Sequence, residues 1–183
     1  MGCAGIGPVG SRQNGLTIGP SGSNFLAMDG ARRDTAGISL QGQVSQTIKG
    51  LHVGVPTTVE FQWAAAQQAG FTGPNTEQLQ VSLGSQSFKT DVIHNTSEGF
   101  QPWRPDEFTF TPTSTSDVLS FLAIGTPEVG VGSAGPPFVL LDGGIHLQPV
   151  PEPATWQLLG TSFLVGVAYR RRKSVRVPDK AGT

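Results

Sequence analysis

Few side chains in this chain are able to do chemistry. Only 14% of its 183 residues are charged, and it holds three histidines and one cysteine. His52, His94 and His146 show no H-x-x-x-H spacing, which would set two of them on one helix face around a metal. The single Cys3 excludes an intramolecular disulfide and any Cys-based zinc site. No G-x-S-x-G nucleophile elbow is present. Glu60 and the neighbours Asp106 and Glu107 are the carboxylates that general acid–base chemistry would recruit. The sequence does not bring them together, and solvent-facing strand positions are the simpler reading.

Sugar binding calls for an aromatic platform beside hydrogen-bonding groups. Trp63 alternates with Val59 and Phe61 and is read as core. Trp103 sits beside Arg104 in the stretch GFQPWRP, at an expected loop-to-strand junction, as either a platform or a cap on the domain. Gln67, Gln68, Phe71 and Asn75 fall in an expected loop with suitable chemistry. Trp103, Gln67, Gln68 and Asn75 are therefore the candidate ligand contacts.

These groups need a scaffold, and composition narrows it. Gly (25) and Pro (14) interrupt the chain every few residues, which excludes a helix bundle or coiled coil. The apolar share of 37% is too high for wholesale disorder. From residue 24 onward, short apolar runs alternate with turn signals. Residues 57–66 are the clearest strand, with Val59, Phe61, Trp63 and Ala65 on one face and Thr58, Glu60 and Gln62 on the other. Similar runs cover residues 25–28, 37–48, 79–83, 88–93, 107–111, 118–124 and 138–147. About eight strands and no amphipathic helix predict an all-β fold, an antiparallel β-sandwich or jelly roll, over residues 24–148. The expected core includes Val59, Phe61, Trp63, Leu79, Val81, Phe110, Phe121 and Leu140. The stretches 67–76 and 126–137 are expected loops.

Charge divides the chain unevenly. Residues 1–149 carry six basic and eleven acidic side chains, whereas residues 150–183 carry six basic and two acidic. With a net charge of −1 overall, nothing points to nucleic acid. Residues 154–169 (ATWQLLGTSFLVGVAY) are uncharged, and a helix of that length spans ~24 Å, short of a ~30 Å hydrocarbon core. Its flanks still read as a stop-transfer signal. Val150, Pro151, Glu152 and Pro153 lead in, and Arg170, Arg171, Arg172 and Lys173 follow at once. By the positive-inside rule that cluster stays cytoplasmic and the body lies outside. The expected organisation is a Gly-rich start over 1–23, the sandwich, a Pro-rich linker over 149–153, a transmembrane segment over 154–169 and a basic tail over 170–183.

The ordered triple of Pro-Glu-Pro, apolar stretch and basic cluster resembles a PEP-CTERM sorting signal. That tail is found on exported proteins of Gram-negative bacteria that make extracellular polysaccharide. The resemblance implies that exosortase, a membrane transpeptidase, recognises Pro151-Glu152-Pro153 and processes the chain there. Residues 174–183 run past the basic cluster, further than such tails usually do. The body resembles galactose-binding-like jelly rolls from about Gly15 to Leu147. The carriers are FLAMDG, VSQTI, VEFQWAAAQQ, EQLQVSLG, W-x-x-x-x-F-T-F-T, LSFLAIG and LLDGGIHL. That likeness implies a structural calcium near the last strand with Asp142 as a ligand, although one carboxylate does not fill a site of six to eight oxygens. An Asp before Gly is also an ordinary turn residue. No secretory signal peptide opens the sequence, and the opening strands of the resembled domain are not visible. The expectation is a start inside the domain, with an exposed sheet edge.

The reading that follows is a non-enzymatic exported surface or matrix protein that binds glycan. The alternatives are a polysaccharide-active enzyme fragment and a membrane-anchored structural protein without a ligand. One outcome tests the tail. With an added signal peptide, replacing Pro151, Glu152 and Pro153 by Ala leaves the protein exported but unprocessed. Arg170 to Lys173 then hold it, since each cation costs ~2.5–3.5 kcal/mol at the bilayer centre. Membrane fractionation in an exosortase-containing host reads this. Normal processing of the Ala variant reduces the tail to a hydrophobic anchor.

Overall fold

Strict alternation in the longest apolar run sets the architecture. In the computed structural model, which describes residues 17–22, 24–31, 41–126 and 136–150, Val59, Phe61, Trp63 and Ala65 all point into a buried core. They belong to β3 (Thr57–Gln67). The other strands are β1 (Phe25–Asp29), β2 (Gln43–Lys49), β4 (Asn75–Leu83), β5 (Gln86–Lys89), β6 (Ile93–Asn95), β7 (Phe100–Phe110), β8 (Ser116–Thr126), β9 (Pro137–Asp142) and β10 (His146–Pro149). All pairings are antiparallel, and the described residues form a jelly-roll sandwich of two five-stranded sheets.

Each sheet is built around one long strand. In the first, β7 runs along one edge of β3. On the other edge β9 pairs with residues 63–67 and β10 with residues 57–60, and β1 adds to β9. In the second, β8 lies between β2 and β4, while β5 and β6 share the far edge of β4. Leu79, Val81 and Leu83 from β4 and Leu119, Phe121 and Ala123 from β8 meet the β3 residues in the core. The Phe61 and Phe121 rings join the two sheets edge to face, centroids 5.5 Å apart. Each such side chain contributes about 1.5–3 kcal/mol on burial.

The expected core residues are all buried, but Leu140 lies in a separate cluster. Neighbours on a strand alternate faces. Val139 and Leu141 point inward, and Leu140 packs with Phe25, Ala64 and Ala66 on the outer face of the first sheet. Two expected strands are each divided. The run at 88–93 splits between β5 and β6, where Thr90 turns the chain: its hydroxyl accepts the Leu79 N–H at 3.0 Å. The run at 138–147 breaks between β9 and β10. Gly84 makes the tight β4–β5 turn, with φ of 58° at the first of two loop positions.

One end of the interior is polar. Glu77 and Asn75 on β4 and Asn95 on β6 point inward with the hydrophobic residues and are buried. Glu77 is 0% exposed, and neither of its carboxyl oxygens has a hydrogen-bond partner. Loss of hydration pushes its pKa up from 4.5 to about 8, and the nearby Asn95 side chain offsets this only in part.

The folded protein therefore holds this proton to about pH 8, whereas the unfolded chain releases it near 4.5. The Glu77 contribution to stability is complete below pH 4.5 and is lost as pH rises through 8, by up to about 5 kcal/mol. Urea melts in metal-free buffers from pH 4.5 to 9 should show this fall in the parent and not in Glu77→Gln. Parallel pH profiles for the two proteins would contradict it.

Candidate functional site

The outward residues of β3 meet outward residues on both neighbouring strands. Glu60 stands opposite Glu107 on β7 and opposite His146 on β10, so three titratable side chains form one row across the first sheet. The next row holds Gln148, Thr58 and Thr109, with the two threonine hydroxyls 2.9 Å apart. Gln62 pairs with Pro105 on the other side of the Glu60 row. Like charges directly opposite each other are destabilising, so the Glu60–Glu107 pair costs stability where it stands. No spacing in the chain joins these two carboxylates; the β3–β7 register does.

Over the Glu60 row and Gln62 opens a cavity of about 620 Å³. Its floor includes Glu60, Gln62, Glu107 and His146, and one wall is Pro20 and Ser21. That wall is held by Asp142, the last residue of β9. Its carboxylate accepts hydrogen bonds from the Ser21 amide (2.8 Å), the Ser21 hydroxyl (2.5 Å) and the Gly143 amide (2.8 Å). Gly19 passes so close that a Cβ would lie 2.8 Å from Asp142 Oδ1. Trp103 donates its indole N–H to the Thr17 carbonyl at 3.4 Å. Residues 17–22 are thus tied down at two points. Four carboxylates and no Lys or Arg line the cavity, which suits an uncharged, hydroxyl-rich occupant better than an anion.

The sequence-derived candidates fall in other places. Trp103 lies within β7, not at a junction. Pro102 and Pro105 give its surroundings a loop-like composition, but an edge strand accepts proline because its outer N–H groups pair with nothing. The Trp103 ring packs edge to face on Phe25, 5.4 Å between centroids, and covers the outer cluster as a cap. Gln67 and Asn75 are not loop residues: they end β3 and begin β4, and both are buried beyond reach of a ligand in solvent. The Gln67 amide donates to the Gly73 carbonyl at 2.9 Å and accepts the Glu98 N–H at 2.5 Å, tying two turns together. Gln68 is exposed in the loop that follows, and Phe71 is half-buried there. Neither lines the cavity. Asp142 has its oxygens taken by three donors, as a turn-holding Asp would, and no group of three or more His, Cys, Asp or Glu suited to a metal occurs among the described residues.

Val150 follows β10 directly and is 38% exposed, so the chain leaves the sandwich at the start of the Val-Pro-Glu-Pro stretch. A compact unit ends at Pro149 and a second begins at Val150. Pro151, Glu152, Pro153, the apolar segment and Arg170, Arg171, Arg172 and Lys173 lie outside the described residues. Among the described residues no helix is long and apolar enough to cross a membrane.

Comparison with known proteins places the PEP-CTERM protein-sorting motif at residues 149–173. No curated protein matches the chain in sequence. Solved structures similar to the chain at low identity include three. One is described as "CBM4 structure and function", with 19% identity, a TM-score of 0.38, and 69% of this chain and 70% of that one covered. A second is TmCBM61 in complex with beta-1,4-galactotriose, at 17% and 0.34, covering 69% and 65%. The third is the enzymatically active domain of bacteriophage CBA120 tailspike protein 4, at 14% and 0.35, covering 75% of this chain and 17% of that one.

Asp142→Ala takes the acceptor away from three donors, two on Ser21 and one on Gly143, and frees the cavity wall. It should cost about 2–3 kcal/mol in urea melts and raise hydrogen exchange at the Ser21 amide. A loss below about 0.5 kcal/mol, the level of a surface change, would show that residues 17–22 are not held by Asp142.

Proposed function

We propose that this chain is an exported, surface-held domain that binds neutral polysaccharide in the cleft on the first sheet, without catalysing its cleavage. The observation that carries the reading is the row His146–Glu60–Glu107 with Gln62 beside it, under an open cavity of about 620 Å³. Carboxylates, an imidazole and an amide offer both acceptors and donors at fixed spacing, which is what sugar hydroxyls need. A shallow site on paired strands keeps these groups rigid at little entropic cost. Export to the cell surface is supported by the sorting motif at residues 149–173, which would bring exosortase and the membrane as partners.

A second reading has one observation behind it. Glu60 and Glu107 face each other, and a pair of carboxylates is the machinery of glycoside hydrolysis. Against it, Glu107 is exposed and Glu60 only half-buried. Neither sits in the dry surroundings by which a catalytic acid is tuned. Binding is the reading that this geometry supports better.

Affinity electrophoresis through soluble β-glucan, β-1,4-galactan and xylan tests the proposal. The chain should be retarded by at least one of them, and Glu60→Ala or His146→Ala should weaken retention about tenfold or more. Unretarded migration in all three gels, or retention unchanged in both variants, would overturn the site. Release of reducing ends, lost in Glu60→Gln and Glu107→Gln, would favour the hydrolase instead.

A further inference from the structure

Asn75, Glu77 and Asn95 form one patch on the inner face of the second sheet. Asn75 and Asn95 are register partners on β4 and β6, and Glu77 lies two residues further along the same face of β4. Side chains at such diagonal positions reach one another. All three are at least 97% buried. Neither carboxyl oxygen of Glu77, neither amide atom of Asn75, nor Asn95 Oδ1 has a hydrogen-bond partner. The Asn95 amide nitrogen donates to the Gly99 carbonyl at 2.9 Å, and its Oδ1 is left without a partner. Of the two residues beside Glu77 in the sheet, Gly125 has no side chain and Ile93 is aliphatic, so neither supplies a donor.

Buried polar atoms are almost always partnered, and each orphan costs about as much as a lost hydrogen bond. Here the orphans are several, adjacent and mostly oxygen. We propose that Glu77, Asn75 and Asn95 hold a hard metal cation inside the sandwich. Carboxylate and amide oxygens select hard cations over zinc or copper, which prefer nitrogen and sulfur. Magnesium is a poor fit because it keeps several of its waters. One carboxylate balances one positive charge, so an alkali ion leaves the interior neutral. Calcium shares the oxygen chemistry but leaves a net charge behind, at a cost in low dielectric. This site lies on β4 and β6 of the second sheet, apart from Asp142 on β9 of the first, so the two are separable by mutation.

The test is thermal melting of the chelator-treated full chain in mild detergent, in sodium, potassium, calcium or choline chloride at matched ionic strength. A cation bound only by the folded state raises the midpoint, here by about 5 °C relative to choline. The rise should vanish in Glu77→Gln and Asn75→Ala and persist in Asp142→Asn. An advantage of sodium or potassium assigns the alkali ion, and an advantage of calcium alone assigns calcium. Glu77→Gln keeps the volume of a neutral carboxyl, and its near-ultraviolet circular dichroism checks the fold. Should that variant not fold, the parent alone decides. Equal midpoints in all four salts would overturn the proposal, as would a cation effect that survives in Glu77→Gln or is lost only in Asp142→Asn.

Discussion

Each side chain of β3 must point either into the sandwich or out of it, and both faces are in use. Inward, Val59, Phe61, Trp63 and Ala65 anchor the core. Outward, Glu60 and Gln62 floor the cleft, and Ala64 and Ala66 begin the second apolar cluster under Phe25 and Trp103. A shift of one residue in pairing would bury Glu60 and expose Phe61. The hydrophobic face thus fixes the register, and the register in turn sets Glu60 between Glu107 and His146. The cost of two opposed carboxylates is carried by a core that tolerates no other alignment.

The same strand explains why Asp142 matters to the cleft. β9 and β10 share one edge of β3, and the chain must leave and rejoin that edge across residues 143–145. Asp142 ends β9 at this break, with its carboxylate turned outward to hold residue 21 against the sheet. The wall of the cleft is therefore a by-product of how a broken strand is finished. The chain then leaves β10 at Val150, within the sorting motif matched at residues 149–173.

Alternation made most strands legible, because Val59–Phe61–Trp63 and Leu79–Val81–Leu83 bury every second residue. It failed where another force set the structure. β4 begins at Asn75, four residues before its first leucine, because Asn75 and Glu77 occupy inward positions that hydropathy assigns to a loop. β7 begins at Phe100, since its two prolines sit on an edge that demands no hydrogen bonds. Leu140 was legible as buried but not as facing outward, because a second apolar cluster on the far side of a sheet leaves no signature in one strand. The cleft was invisible for a different reason. Glu60, Glu107 and His146 come from three strands far apart in sequence, and only pairing joins them. The basic cluster and Pro-Glu-Pro, by contrast, are contiguous and needed no fold to be read.

The central claim is that the outer face of β3 is a binding surface. Backbone amide shifts of the isotopically labelled protein, followed as an oligosaccharide of whichever polysaccharide retards it is titrated in, test it most directly. The account predicts shifts that cluster at Thr58, Glu60, Gln62, Glu107 and His146, with Leu79 and Val81 in the second sheet unmoved. Shifts confined to residues 68–74, around Gln68 and Phe71, with the Glu60 row silent, would contradict it.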